Sequence, residues 1–151
     1  MAACLLNDLV TKKGELPVWR IESAGTWCVE GAAAVPRAKQ AMKQLGLNLD
    51  EHRSRCVTCQ MLQSFTLILT MEKGQQEALG IEFPALRRRI FCLSDMVGQH
   101  WDLPDPPSTD LVEFVSIAKQ IQSLLIGGLD MIKRLAWGGE ADDSHTPNTL
   151  N

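Results

Sequence analysis

The sequence predicts an α/β fold, a three-layer sandwich in which helices cover both faces of a short parallel sheet. Residues 66–71 form a short apolar run rich in strand-forming side chains, the pattern of a strand buried on both faces, and residues 89–93 are a second short strand candidate. Segments with helical periodicity precede, separate and follow these runs, and such alternation favours a parallel sheet. The length of 151 residues corresponds to one domain.

The N-terminal segment predicts one helix and one strand. Residues 1–13 place their leucines and a valine on one helical face, and Gly14 suits the left-handed residue that ends a helix. Residues 18–21 alternate apolar and polar side chains, as a half-exposed strand does.

The next segment predicts two further helices. Pro36 can occupy the first turn of a helix over residues 36–45, and Gly46 can close it. Thr58 can cap a short helix that continues through Phe65.

The C-terminal half predicts the remaining elements. After the first apolar run, residues 72–79 return to helical character, and residues 94–109 form a proline-rich loop. A long amphipathic helix follows over residues 111–132, in which Gly127 and Gly128 could allow a kink. Residues 1–137 therefore form the predicted domain, and the composition of residues 138–151 predicts a disordered acidic tail.

Charge and composition exclude several functional classes. Lys and Arg number 15 and Asp and Glu number 18, and the net charge of −3 comes from three acidic residues in the tail, so residues 1–137 balance to zero. A neutral domain does not favour nucleic-acid binding. No apolar run approaches the roughly 18 residues of a membrane span. Five cysteines, an odd number in a chain with a full core, predict reduced thiols and a cytoplasmic location.

The loops after the predicted strands are the expected place for chemistry, because ligands of open α/β sheets bind at the carboxyl ends of strands. These loops are residues 23–31, 71–74 and 94–109. In the last of them Asp105 is followed by two prolines, which stiffen the backbone. A carboxyl group on a rigid loop is a candidate general acid, although an aspartate that only begins a turn is the alternative.

Several segments together resemble the low-molecular-weight protein-tyrosine-phosphatase family across nearly all of residues 1–135. Each segment is weak evidence by itself, but the order and spacing are specific. The matching segments are residues 21–26 (Ile-Glu-Ser-Ala-Gly-Thr), Gly31, residues 38–46, His52, residues 67–71 and Asp105 with Pro106.

The resemblance implies a central first strand and a phosphate-binding loop ahead of the first helix, the loop reading cysteine, five residues, arginine, then Ser or Thr. Met1 to Ala3 match the first helical turn that follows this loop, and residues 1–151 contain no such loop. We therefore expect that the central strand and the loop are missing, through a start codon assigned too late, a truncation or a real loss. Cys4 lies inside the predicted helix and cannot replace the nucleophile.

The resemblance also implies roles for individual residues. Asp105 matches the acid that protonates the leaving oxygen and then activates water. Ser23 and His52 match side chains that hydrogen-bond to the phosphate loop and hold its shape. Trp27 matches a residue that flanks the cleft and contacts the substrate, and Glu72 matches a polar position near the arginine. Neither a cofactor nor a metal is implied.

Three functions remain open. The first is a protein-tyrosine phosphatase and the second a protein arginine phosphatase, which residues 93–98 and Pro107 favour. The third is a non-catalytic remnant that acts as an interaction domain. The first two imply a phosphorylated protein as partner, and a missing central strand implies self-association through unpaired strand edges.

Two other patterns suggest weaker alternatives. Cys56 and Cys59 have the spacing of half a zinc site, but no second pair follows, so structural or incidental cysteines are favoured. Residues 87–89 are three consecutive arginines, which suit a solvated turn better than a basic binding face.

Overall fold

The computed structural model describes residues 1–106 and 110–138. Five α-helices are present in this part of the chain: α1 (Ala2–Lys12), α2 (Pro36–Gln44), α3 (Cys59–Gln63), α4 (Lys73–Glu82) and α5 (Leu111–Ala136). Two strands are β1 (Ile68–Thr70) and β2 (Ile90–Cys92). Three 3₁₀ turns are Leu16–Val18, Pro84–Arg89 and Leu93–Val97.

The two strands form a parallel sheet, as the sequence predicts. Ile68 pairs with Ile90, and Leu69 pairs with Phe91. The connection between the strands contains α4, which packs against both. Because parallel strands need a crossover of this kind, the helix between them accounts for their direction.

The side chains of the sheet alternate between two apolar clusters, which confirms the three-layer arrangement. Leu69 and Phe91 contact the main core, whereas Ile68 and Ile90 belong to a smaller cluster on the opposite face. Alternation with a period of two is a direct consequence of strand geometry. The main core is built from α1, α2 and α5, and the smaller one is completed by Leu62, Leu79 and Leu86.

The ends of the helices follow the predicted signals. Pro36 begins α2, and Gly46 after that helix adopts a φ of 75°. Gly14 after α1 has a φ of 72°, a conformation that favours glycine. The Thr58 hydroxyl accepts the backbone N–H of Met61 at 3.1 Å and so caps α3.

Helix α5 continues through Gly127 and Gly128 without interruption. Gly128 is buried where α5 packs on the 3₁₀ turn Leu93–Val97, and a Cβ at this position would lie 2.5 Å from the Cβ of Met96. Glycine is therefore required by close packing at position 128 rather than by a kink.

Two predictions about local structure are wrong. Residues 18–21 do not form a strand: Pro17 supports a 3₁₀ turn, and Trp19 after it is extended but pairs with no strand of the described residues. The first part of the predicted loop 94–109 is helical instead, because Leu93 and Met96 are both buried one turn apart. Proline content identified the later part of this loop but not its beginning.

The described part of the chain limits two further statements. Pro107 and almost all of the predicted tail, residues 139–151, lie outside the described residues. Within residues 1–106 and 110–138, no helix combines the length and the apolar character needed to cross a membrane.

Candidate active site

A cavity of about 310 Å³ lies beside the first turns of α1. It brings together Ser23 and His52, which the resemblance pairs, although they are far apart in the sequence. The lining combines polar and apolar side chains: Ala3, Cys4, Asn7, Ile21, Glu22, Ser23, Asn48, Leu49, His52 and Arg55. Since backbone N–H groups at the start of a helix lack partners within that helix, a cavity at this point suits an anion.

Arg55 holds the segment that carries Ser23. Its guanidinium donates to the Glu22 carboxylate at 2.9 Å and to the Ser23 carbonyl at 3.2 Å. The Arg55 carbonyl in turn accepts the backbone N–H of Gly25 at 2.9 Å. Three contacts from one residue fix residues 22–25 at the wall of the cavity.

His52 is half-buried and also lines the cavity. Its backbone N–H donates to the Leu49 carbonyl at 3.2 Å, and Leu49 is buried in the main core. Burial lowers the pKa of the His52 imidazole, and the positive charges of the Met1 amino group, Arg55 and Arg53 lower it further. A neutral imidazole is consequently favoured at neutral pH, and it can donate one hydrogen bond and accept another.

Asp105 lies near the same end of α1. Burial lowers the pKa of the Met1 amino group, and Asp105 acts in the opposite direction through its charge. The start of α1 is therefore within electrostatic reach of both Asp105 and His52.

The loop that carries Asp105 is anchored to the end of β1. The backbone N–H of Leu103 donates to the Met71 carbonyl at 2.9 Å, and the Leu103 side chain is buried. The Asp102 carboxylate accepts the Lys73 backbone N–H at the start of α4 at 2.8 Å. Asp105 itself is exposed and follows Pro104, so a fixed loop presents a free carboxyl group to solvent.

Three residues of the predicted site, Asp105, Trp27 and Glu72, do not line the cavity. The Trp27 side chain is 97% exposed and does not line the cavity. Glu72 directly precedes α4 at the carboxyl end of the sheet, where its carbonyl accepts the Thr70 hydroxyl at 3.2 Å. Trp27 and Glu72 therefore do not share the lining of the cavity with Ser23 and His52.

Sequence reasoning missed Arg55 and Asn48, which also line the cavity. Both lie within four residues of His52, so the polar residues around a candidate histidine were the available signal. Arg55 has no apparent role in the sequence because its partners, Glu22 and Ser23, are more than thirty residues away.

The expectation that all cysteines are reduced is wrong for one pair. Cys28 and Cys56 form a disulfide with a Cα–Cα distance of 5.4 Å, whereas Cys4, Cys59 and Cys92 are free. The sequence does not reveal this pair because the two cysteines belong to loops that meet only in the fold. Half a zinc site would require the thiolates of Cys56 and Cys59 to bind one metal ion together. Cys56 is instead bonded to Cys28.

Cys4 lies within α1, as predicted. Burial raises the pKa of the Cys4 thiol, and the negative charge of Asp8 acts in the same direction, against the Met1 amino group. A nucleophilic cysteine needs a lowered pKa, so the surroundings of Cys4 do not favour a thiolate.

Comparison with known proteins gives a consistent result. A family model described as low molecular weight phosphotyrosine protein phosphatase matches residues 1–136. The chain is 30% identical over 122 residues to a protein described as a probable low molecular weight protein-tyrosine-phosphatase, EpsP, of Ralstonia nicotianae, covering 81% of this chain and 79% of the relative. It is 27% identical over 126 residues to a protein-arginine-phosphatase of Geobacillus stearothermophilus, covering 83% and 81%.

Comparison with solved structures also finds a low molecular weight protein tyrosine phosphatase. A solved low molecular weight protein tyrosine phosphatase from T. tengcongensis superposes with a TM-score of 0.80 at 24% identity, covering 86% of this chain and 88% of that one. The shared fold therefore includes most of both chains.

Proposed function

Because the chain belongs to the low molecular weight phosphotyrosine protein phosphatase family, we propose that its reaction is the hydrolysis of a phosphomonoester on a protein side chain, with Asp105 as general acid and base. The observation that carries this proposal is the position of Asp105. It is an exposed carboxyl group on an anchored loop, within electrostatic reach of the start of α1.

The chemistry follows from this position. A thiolate attacks the phosphorus, the bond to the leaving oxygen breaks, and Asp105 gives that oxygen a proton. The ionised Asp105 then takes a proton from a water that attacks the phosphocysteine, and the thiolate leaves with the electron pair of the broken S–P bond. The unpaired N–H groups at the start of α1 favour the phosphate oxygens.

The proposal requires two groups that residues 1–151 do not supply, since no cysteine is followed by an arginine six positions later. It therefore applies to a polypeptide in which such a loop precedes Met1. Residues 1–151 by themselves are expected to be inactive. The third function, a non-catalytic interaction domain, is favoured by this same sequence observation.

Ser23 and His52 support the phosphate loop in this proposal. Both line the cavity beside the first turns of α1, where a loop that enters the helix would lie. Trp27 flanks the substrate from its exposed position, and Glu72 contributes a polar group at the carboxyl end of the sheet. Hydrogen bonds from side chains of this kind keep a binding loop in shape before the ligand arrives.

The substrate is a phosphorylated protein, and phosphotyrosine is the first candidate. Phosphoarginine is the second, supported by the relative described as a protein-arginine-phosphatase and by residues 93–98. A cytoplasmic location is part of the proposal; the free Cys4, Cys59 and Cys92 favour it, whereas the Cys28–Cys56 disulfide does not.

The test uses a fusion protein. In this fusion, a strand and a phosphate-binding loop of the family, in which five residues separate cysteine from arginine, are joined ahead of Met1 of residues 1–151. Hydrolysis of 4-nitrophenyl phosphate, a phosphotyrosine peptide and a phosphoarginine peptide is measured for the fusion, the unfused chain and Asp105→Asn. Loss of one general acid reduces kcat by about 10²–10⁴-fold. Asp130→Asn, which neutralises an exposed carboxylate on α5, is the matched control and should retain full activity.

The results separate the three functions. Turnover by the fusion that depends on Asp105 supports the enzyme. Because a residue inside the missing loop discriminates phosphotyrosine from phosphoarginine, only a peptide preference shared by fusions with a tyrosine-phosphatase loop and with an arginine-phosphatase loop decides between them. A folded fusion without turnover contradicts the proposal and supports the interaction domain. A loss of less than threefold in Asp105→Asn shows that another residue is the acid.

A further inference from the structure

A five-residue loop, residues 26–30, is held at both ends by backbone hydrogen bonds to one neighbouring segment. The Gly25 N–H donates to the Arg55 carbonyl at 2.9 Å before the loop, and the Gly31 N–H donates to the Ser54 carbonyl at 2.8 Å after it. These bonds fix where the loop begins and ends, whether or not its tip is attached.

The tip of this loop is attached by sulfur. Cys28 is joined to Cys56, and the Glu30 carboxylate accepts the Cys56 backbone N–H at 2.8 Å. Trp27 and Val29, which flank Cys28, are 97% and 75% exposed. The loop thus presents two large apolar side chains to solvent on either side of a single covalent attachment.

We propose that Cys28 and Cys56 are a reversible redox modification site. Their disulfide fastens the loop of residues 26–30, which carries Trp27. In the reduced state the loop keeps its terminal hydrogen bonds at Gly25 and Gly31. It also keeps those of the Val29 carbonyl with the Ser54 hydroxyl and of the Glu30 carboxylate with the Cys56 N–H, and it loses only the covalent attachment at Cys28. In the oxidised state Trp27 and Val29 are held in one position. The redox chemistry of the pair does not depend on the proposed function; only its consequence for substrate binding does, because Trp27 is proposed to flank the substrate.

The oxidant is a peroxide or a disulfide such as oxidised glutathione. One thiolate attacks hydrogen peroxide, the O–O bond breaks, and a sulfenic acid and hydroxide form. The second thiolate attacks that sulfur, the S–S bond forms, and a second hydroxide leaves, so that with the two thiol protons the products are one disulfide and two waters. With glutathione disulfide, two exchange steps form the same bond and release two glutathione thiols.

Reversibility follows from the position of the pair at the surface. Cys28 is only half-buried, its neighbours are exposed, and the loop does not belong to either apolar cluster. Opening the bond therefore leaves the core intact. Exposed disulfides are the ones that respond to cellular thiols, and those of cytosolic proteins are most often of this kind.

The test is a map of the disulfide in glutathione buffers of increasing oxidised fraction. After each buffer, free thiols of the full chain are alkylated in denaturant without reduction, so that the buried Cys92 also reacts, and the digest is analysed by mass spectrometry. We expect a Cys28–Cys56 linked peptide that forms and disappears reversibly with the buffer, while Cys4, Cys59 and Cys92 stay alkylated. Hydrogen exchange in residues 26–30 should slow about tenfold or more on oxidation, and Tm should rise by about 4–16 °C.

Two variants make the result specific. Cys28→Ser should exchange as fast as the reduced protein in every buffer. Cys59→Ser removes the exposed cysteine that follows Cys56 by three residues and should behave as the unmodified chain does.

Several outcomes would overturn the proposal. A linked Cys56–Cys59 peptide, or alkylation of Cys28 and Cys56 in the most oxidising buffer, shows that this disulfide does not form. A linked peptide that no buffer reduces shows a permanent structural bond. Because the possible ligand atoms of Cys28, Glu30 and Cys56 lie within 4.8 Å of one another, zinc is measured as well. One zinc per chain, lost in Cys28→Ser, would assign the cluster to a metal instead.

Discussion

The backbone N–H of Leu103 donates to the carbonyl of Met71 at 2.9 Å, which ties the loop carrying Asp105 to the carboxyl end of β1. The Leu103 side chain is 4% exposed and packs into the main core. The loop is thus fixed by a polar contact of its backbone and by an apolar contact of its side chain, two residues before Asp105.

Leu103→Ala should lower the free energy of unfolding by about 2–5 kcal/mol, because it removes a buried side chain and leaves a cavity. Thermal or urea unfolding of the fusion measures this change. Val112→Ala is the control, since Val112 is 71% exposed and its truncation should cost less than about 0.5 kcal/mol. Equal effects of the two variants would show that Leu103 does not anchor the loop. In the active fusion, Leu103→Ala should also reduce kcat by moving Asp105.

Gly128→Ala should destabilise the protein by about 1–3 kcal/mol, although alanine is the better helix former. The added Cβ would lie 2.5 Å from the Cβ of Met96 and 3.1 Å from its carbonyl oxygen, and the backbone cannot yield easily. Gly127→Ala is the matched control, because its Cβ would meet only the end of the Val97 side chain, at 3.3 Å. Urea unfolding of the fusion should place the free energy of unfolding of Gly127→Ala near that of the unmodified fusion, or above it by up to about 1 kcal/mol. The reverse order would contradict the close packing of α5.

The pKa of His52 should be found below the unfolded value of about 6.5, since burial is the largest cause of its shift. A folded state with the lower pKa binds fewer protons than the unfolded state, so the stability that neutral His52 contributes is present above pH 6.5 and is lost as pH falls through the folded pKa. NMR titration of the imidazole, assigned with His52→Gln, measures the midpoint. His52→Gln should also flatten the decline in stability below pH 6.5. A midpoint at or above 6.5 would contradict the prediction.

Residues 1–151 should be only marginally stable and should self-associate. The sheet of the described residues has two strands, so β1 and β2 each present an edge without a strand partner. A missing central strand would cost roughly 5–10 kcal/mol in buried aliphatic side chains, which is comparable with the stability of a whole domain. Thermal melting and size-exclusion chromatography compare residues 1–151 with the fusion. A monomer whose cooperative melt matches that of the fusion would contradict this expectation.

The predictions from sequence succeeded where a residue acts on the few residues next to it in the chain. Pro36, Gly46 and Thr58 mark helix ends because proline, glycine and threonine have local conformational preferences, and the apolar runs at β1 and β2 have a composition typical of buried strands. Residues 18–21 were predicted wrongly because a strand needs a neighbour, and alternation of side chains carries no information about one.

The candidate site was predicted less completely than the fold. Ser23, His52 and Asp105 were predicted through the resemblance, and their roles stay predictions. Arg55 was not, since its role depends on contacts with Glu22 and Ser23 that only the folded chain creates. The pairing of Cys28 with Cys56 was missed for the same reason.

The division of the apolar interior by the sheet has a consequence for local unfolding. The smaller cluster, which contains Leu62, Leu79, Leu86 and Ile90, can be exposed without disturbing the contacts among α1, α2 and α5. A cooperative unit made of α3, α4 and the 3₁₀ turn Pro84–Arg89 can therefore open at a lower free energy than the whole domain. Substitutions in this unit alter how often that half of the molecule opens, while the walls of the cavity beside α1 keep their packing.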